Sequence, residues 1–207
     1  MDQARDGESM DTRERIMVAC LRVLDSHGYA GLSIGRIADE ADLSKSSVYH
    51  FFDDKDDMLV SFLDYMLDRF VGPLDDSFGE DPEADLWVHL DFALFGATGE
   101  VVPPTPGEFE PGSGEPFVEL RTQAVHDETY RRRFTTIDEN LQARLASIIR
   151  DGIEDGAFRE VDPEETAELL LTLMLGGLFR RATADGVDTD AVRREVERVV
   201  EATLLAD

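Results

Sequence analysis

The stretch from Leu32 to Lys55, LSIGRIADEADLSKSSVYHFFDDK, restricts the possible folds of this chain more than any other segment. Ser33 and Ser44 are both of a type that caps a helix by accepting a backbone N–H bond. After Ser33, the residues Ile34, Ile37 and Ala38 recur at helical spacing, and Val48 follows Ser44 by four positions. Ala41-Asp42-Leu43 between them is a three-residue turn. Two short helices joined this way form a helix-turn-helix, the unit that offers its second helix to the major groove of DNA. Ala38 is small where the helices cross, Leu43 plugs the turn, and Val48, Phe51 and Phe52 supply the core. Lys45, Ser46 and Ser47 are then left exposed at the start of the second helix, side chains of a kind that reaches phosphates and base edges.

The remainder of the chain is patterned for helices alone. Residues 1–10 read as a disordered leader. Asp11, with Glu14 three residues on, resembles a capping box and opens a helix with Ile16, Ala19, Cys20, Val23 and Leu24 on one face. Gly28 and Gly31 end it. A second box-like start, Asp53 and Asp56, opens a long helix with Met58, Leu59, Phe62, Leu63, Met66, Leu67 and Phe70 inward, and Gly72-Pro73 ends it. Beyond Pro82, Leu86, Leu90, Ala93 and Leu94 form a stripe beside Trp87. Glycines and prolines crowd residues 99–114, which reads as a mobile loop. Helices are then expected from Phe117 to His126, from about Glu128 to Glu154 with Gly156 closing it, from Asp162-Pro163-Glu164 onward, and from about Thr189 to Leu205. The fold class is all-α with about nine helices: a helix-turn-helix domain at 11–56 and a larger helical domain at 57–207.

Charge is the unusual part of the composition. The 207 residues hold 46 acids and 20 bases, a net of −26. Only Lys45 and Lys55 are lysines. Thirteen acids and seven bases fall in residues 1–57, against 33 and 13 beyond, so the acid is spread over the whole chain. Nucleic-acid binding ordinarily shows as a basic footprint. Acid distributed in this way, with lysine almost absent, instead suggests adaptation to a salty cytoplasm, where self-repulsion is screened within a few Å. No run of eighteen apolar residues is present to span a membrane, no signal peptide is visible, and the single Cys20 makes neither an internal disulfide nor a metal cluster. The expectation is a cytoplasmic protein without membrane contact.

The run Ser46-Ser47-Val48-Tyr49-His50-Phe51-Phe52, with Lys55 and the helix opening at Asp56-Asp57-Met58-Leu59, resembles the recognition helix and following helix of the TetR family of repressors. T-R-E-R-I from Thr12 and H-G-Y at His27–Tyr29 match as well. The likeness is specific over about residues 12–60. Further on it is loose, through helix number, G-x-F at Gly156–Phe158 and D-P-E-E-T-A from Asp162 to Ala167. The resemblance implies a homodimer on a palindromic double-stranded DNA operator, released when a small molecule binds the larger domain. On this likeness Lys45, Ser46, Ser47, Tyr49 and His50 belong to the recognition helix, and Ser33, Arg36 and Lys55 are phosphate contacts. Asp42 stands where the family usually has Gly, and Asp tolerates left-handed geometry better than most residues. Asp39, Glu40 and Asp42 oppose Arg36 and Lys45, and in concentrated salt the gain from counterion release shrinks, so affinity is expected to come more from fitted hydrogen bonds, shape and released water.

Other functions find little in the residues. No nucleophile elbow, H-E-x-x-H or Gly-rich phosphate loop occurs, so no catalytic residue and no cofactor is expected. A di-iron bundle needs Glu-x-x-His pairs, yet the positions three before the histidines are Leu24, Ser47, Leu86 and Gln123, so no metal is expected either. Arg131-Arg132-Arg133 reads as a solvated face paired with Asp127, Glu128, Asp138 and Glu139. The rival to a regulator is a helical protein-interaction module with a vestigial helix-turn-helix, which would bring partners and protect no DNA.

Two further sites are expected in the larger domain. Leu170, Leu171, Met174, Leu175 and Leu178, with Val192, Val196, Val199, Val200 and Leu204 on the last helix, are too apolar for exposed faces, and two such helices per subunit would make a four-helix dimer bundle. Gly176 and Gly177 fit a close approach of backbones there. An apolar ligand pocket is assigned to Trp87, Leu90, Leu94, Phe117, Phe134, Ile137 and Leu141, with Phe92, Phe95, Leu120, Val125 and Leu173 around it and the 99–114 loop as a lid. Without buried-looking charge partners, the expected ligand is a small hydrophobic molecule. The pocket helices would lean on the long helix from Asp53, whose tilt sets half-site spacing.

Overall fold

The computed structural model describes residues 11–70, 81–95 and 114–206, with the side chains of 67–70, 92, 93 and 95 left aside. The leader, Gly72-Pro73, the Ala93, Phe92 and Phe95 side chains and nearly all of 99–114 lie outside that description. The described residues form nine helices: α1 Thr12–Gly31, α2 Ile34–Glu40, α3 Lys45–Phe51, α4 Lys55–Phe70, α5 Pro82–Phe95, α6 Glu115–Gln123, α7 Glu128–Glu154, α8 Pro163–Thr183 and α9 Thr189–Thr203. The chain is all-α, and it divides into two compact units, Met1–Tyr65 and Met66–Asp207.

In the first unit α1 packs on α2 and α2 on α3. Ile16, Ala19, Cys20, Val23 and Leu24 of α1 are buried, as are Ile34, Ile37, Ala38, Val48 and Phe52. The cap expected from Asp11 is absent: its side chain makes no capping bond. Gly28, at φ 64°, kinks α1 in its last turns. The start of α4 is one residue away from the Asp53/Asp56 expectation. Asp54 accepts from the Asp57 N–H (2.9 Å), while the Asp57 carboxylate accepts from the Asp53 N–H (3.0 Å). The pair three apart that satisfies orphan amide groups is therefore Asp54 and Asp57.

In the second unit α5 and α7 both pack on α8, with α6 and α9 at their flanks. Leu86, Leu90 and Leu94 meet Leu145, Ile148, Ile149, Ala167, Leu170, Leu171 and Met174 in one core, against which Trp87 and Leu141 lie. Asp162 caps α8 by accepting from the Glu165 N–H (2.9 Å), with Pro163 in the first turn. After α7 the chain turns at Gly156, and an isolated antiparallel bridge pairs Phe158 with Leu205. The adjoining bonds, Arg159 N–H to the Leu204 carbonyl (2.7 Å) and Ala206 N–H to the Ala157 carbonyl (2.9 Å), fasten the end of the chain to that turn.

Candidate functional site

The turn between α2 and α3 is a Schellman ending to α2. The Leu43 N–H bonds the Ala38 carbonyl (2.8 Å), the Asp42 N–H bonds the Asp39 carbonyl (3.2 Å), and Asp42 takes the left-handed position at φ 52°. Glycine favours that position, and Asp is among the few residues that adopt it at modest cost. Arg15 of α1 donates to the Ala41 carbonyl (2.7 Å) and Arg22 pairs with Glu40 (3.5 Å), so α1 holds the turn from behind. Ser33 accepts from the Arg36 N–H (3.3 Å) and Ser44 from the Ser47 N–H (3.1 Å), as their spacing predicts.

This frame turns one face of α3 outward. Val48 is fully buried and Phe52, one helical turn on, nearly so. Lys45, Ser46, Tyr49 and His50 are exposed, Tyr49 by 55 %. Phe51 corrects the sequence reading: it is 41 % exposed rather than part of the core, and its ring meets that of His50 edge-on at 5.4 Å. The period shows why, because Phe52 lies four residues after Val48 and Phe51 falls off that line. The Ser46 and Ser47 hydroxyls both lie 2.8 Å from Ser44 Oγ, so all three serines share one hydrogen-bonded cluster at the start of α3. Arg36 donates to the Gly31 carbonyl, its backbone N–H serving the Ser33 cap. Lys55 is half-buried, with Nζ 4.3 Å from the centre of the Tyr29 ring. Lys55 and Arg36 are thus already engaged by the protein.

The second unit carries buried polar groups that sequence reasoning missed. Asp85 and His89, one turn apart on α5, are 8 % and 2 % exposed, and His89 Nδ1 lies 2.8 Å from the Asp85 carbonyl. Their signal was the apolar company they keep on α5, where Leu86, Trp87, Val88 and Leu90 leave most of the helix surface to packing. Among the expected pocket residues, Leu90 and Leu94 are core, with Trp87 and Leu141 against it. Phe117 and Phe134 meet edge-to-face at 5.3 Å. The Arg121 guanidinium lies 5.1 Å from the Phe134 ring and bonds Asp138 through both nitrogens (2.9 and 2.6 Å). Ile137 and Leu120 are buried, whereas Val125 (64 % exposed) and Leu173 do not line an interior. Of the arginine triplet, Arg132 pairs with Glu128 (3.3 Å) as expected. Arg131 instead donates to the Ala124 and Val125 carbonyls beyond α6 (3.1 and 2.9 Å).

The expected dimer residues also separate. Leu171 and Met174, each 5 % exposed, are consumed by the subunit's own core, so they cannot furnish a face for a partner. Leu175 and Val196 pack against the same core, Leu178 and Val192 are half-buried, and Val199 is exposed. The apolar side chains that α8 leaves in solvent are Leu169, Leu173 and Phe179. The two glycines part as well. A Cβ on Gly177 would stand 2.3 Å from Leu94, so α5 and α8 approach closely there, while nothing lies within 4 Å of one on Gly176.

The sequence signature of bacterial regulatory proteins of the tetR family matches residues 16–62, the span of this frame, and that of BetI-type transcriptional repressors, C-terminal, matches residues 105–205. The chain belongs to the TetR family. A TetR transcription regulator from Haloarcula marismortui is 37 % identical, with a TM-score of 0.79 over 94 % of this chain and 98 % of its own. The repressor SCO4008 of Streptomyces coelicolor is 27 % identical over 96 % of this chain and 98 % of its own length. A transcriptional regulator from Saccharomonospora viridis in complex with choline shares the fold at 23 % identity and a TM-score of 0.72, over 94 % and 98 % of the two chains. As a TetR-family member this chain is a DNA-binding transcriptional regulator, and α2–turn–α3 is its helix-turn-helix. Among the described residues no helix is long and apolar enough to cross a membrane.

Proposed function

We propose that the chain is a ligand-released repressor that binds a palindromic operator as a homodimer. In this reading Lys45, Ser46, Ser47, Tyr49 and His50 meet DNA from α3, with Ser33, Arg36 and Lys55 on phosphates. The observation that carries it is the exposure of Lys45, Tyr49 and His50 on one short helix whose opposite side, Val48, is fully buried. A dimer places two such helices in half-sites one or more helical turns apart. Footprinting on promoter DNA tests this. A protected palindrome, lost in the Tyr49→Ala/Lys55→Ala double variant, is expected; no protection, or protection indifferent to that variant, overturns it.

The partner face is the exposed line of α8, Leu169, Leu173 and Gly176, continued by Phe179, with Val199 of α9 a separate exposed apolar position. Apolar side chains in a row one turn apart favour burial against a second copy, and the open space over Gly176 admits a partner's backbone. Sedimentation should give a dimer for the wild type and a monomer for Leu173→Glu. A wild-type monomer at micromolar concentration rejects the interface.

The effector site belongs to the second unit, near Trp87, Phe117 and Phe134. Buried Asp85 and His89 alter the ligand expected from the sequence: a hydrophobic body with one polar or cationic end suits an apolar helix carrying a carboxylate and an imidazole. Choline, bound by the Saccharomonospora relative, is the first probe, and a long-chain quaternary amine the second. The ligand acts by binding the DNA-incompetent form better than the competent one. Release of operator DNA by either probe, abolished by Trp87→Ala or Phe134→Ala, supports the assignment; release that both variants leave intact puts the site elsewhere.

A further inference from the structure

We infer that Gly35 is a positioning residue for DNA binding: by carrying no side chain it leaves the lane in which Lys45 lies across α2, and so seats the Lys45 ammonium, beside the Ser33 hydroxyl, for a phosphate of the DNA backbone rather than for a base edge. The inference rests on the reading of α2 and α3 as the DNA-binding elements. A Cβ on Gly35 would stand 2.9 Å from Lys45 Cε and 3.1 Å from Lys45 Nζ, and Ser33 Oγ lies 3.9 Å from the same point. The lysine stem therefore runs back over α2 instead of outward along α3. That is the direction dictated by Cα–Cβ bonds, which tilt toward a helix N-terminus, because Lys45 is the first residue of α3.

Nothing in the backbone calls for glycine at position 35, since its φ is not among the positive ones. A glycine in a helix is ordinarily worse than alanine. The space it leaves for Lys45 is the physical return. The hydroxyl beside it is suited to the same ligand. Ser33 uses an oxygen lone pair to cap α2, accepting from the Arg36 N–H, and its own O–H stays a donor in character. An ammonium and a hydroxyl that both lie within 4 Å of the Gly35 Cβ position suit a phosphate group, whose oxygens form short charge-assisted bonds with each. Lys45 is solvent-exposed, so a Cβ at position 35 would displace its flexible end and leave the core untouched.

The test uses the full chain and a fluorescein-labelled duplex selected by the wild-type protein from a random-sequence pool. Anisotropy gives affinity as KCl is varied, for that duplex and for versions with each base pair changed singly. Lys45→Ala should weaken all duplexes by the same factor and lower the slope of log K against log[KCl] by about one, the mark of a lost phosphate contact. Gly35→Ala should move affinity and slope the same way with a thermal midpoint unchanged or raised, since alanine favours a helix over glycine, and the double variant should bind no worse than Lys45→Ala alone. If Lys45→Ala erases discrimination at one base pair and keeps the slope, Lys45 reads a base and the proposal is wrong. Gly35→Ala with wild-type affinity and slope overturns the role of Gly35, and the exposed Lys45→Ala variant keeps the phosphate arm independent of any change in α2. A wild-type protein that enriches no duplex fails earlier, at the DNA-binding reading, and takes this inference with it.

Discussion

At the scale of single residues, burial decides chemistry. Cys20 is fully buried in α1, and that burial pushes its thiol far above the ordinary range, with Lys55 pulling weakly the other way. The thiolate is the reactive species, so Cys20 should not react with a thiol reagent in native buffer and should become reactive only on unfolding. Native-state labelling in minutes would contradict the packing of α1. The sign of the pH effect follows from the same shift. Above the ordinary thiol pKa, the unfolded chain loses the Cys20 proton while the folded chain keeps it, so stability falls as pH rises through that range. Cys20→Ala should flatten the alkaline limb of a denaturation series. Tyr49 is the opposite case. Exposed by 55 %, it contributes little to the core, so Tyr49→Ala should lower DNA affinity by about fivefold or more, the weight of about 1–3 kcal/mol in a specific contact, with a thermal midpoint within a degree of wild type. A matching loss of stability would return Tyr49 to a packing role.

At the scale of helices, what the sequence makes legible is whatever depends on spacing within one element. The serine caps of α2 and α3, the Asp162-Pro163 start of α8 and the bounds of α7 follow from local chemistry, because a cap and its amide group are three residues apart. Errors arise where a neighbour in space casts the deciding vote. Asp53 and Asp54 are equivalent caps on paper, and only the bonds at the start of α4 choose Asp54. Leu171 and Met174 look like an external face until α5 and α7 cover them, and Gly177 looks like part of a subunit interface until Leu94 is found against it. The buried polar pair on α5 is a related case: the apolar run around it hints at burial, and only the packing of α5 on α7 and α8 decides it. Gly152 in α7 is a further contact of this kind. A Cβ there would lie 2.2 Å from the ring of Phe158, which is 3 % exposed and tied down by the pairing with Leu205. A rigid ring cannot yield as a flexible chain end does, so Gly152→Ala should destabilise the protein by about 1–3 kcal/mol, as overpacking does in well-filled cores. Gly176→Ala, with open space around it in the subunit, is the control and should leave monomer stability the same or higher. Equal effects at the two positions in chemical denaturation would mean that Phe158 does not occupy the groove over Gly152.

At the scale of the whole molecule the charge sets the terms. With 46 acids and 20 bases, carboxylates exceed basic residues by 26, so many acids have no basic residue of their own. Described ion pairs such as Arg121–Asp138 and the Arg193 bridge from α9 to Asp91 of α5 draw on that small stock of bases. Salt acts on both populations. It weakens exposed pairs, each worth at most about 1 kcal/mol, and it screens repulsion among the unpaired acids, which self-repel and destabilise the compact state. The excess of acids makes the second effect the larger. Screening is nearly complete once the Debye length falls to about 3 Å near 1 M, so the gain should be steepest below that concentration and flatten above it. The thermal midpoint is therefore expected to rise by more than about 4 °C between 0.1 and 1 M KCl, the shift that about 1 kcal/mol or slightly more produces in a chain of this length, and to change less per mole beyond. Over the same range DNA affinity should fall, because phosphate contacts lose counterion-release energy as salt rises. The two curves cross in purpose: salt that holds the fold together loosens the complex. Circular-dichroism melts and anisotropy titrations on one KCl series measure both. A midpoint independent of KCl would mean that the acids are spaced widely enough for water alone to screen them, and the chain would then be an ordinary acidic regulator with no adaptation to salt.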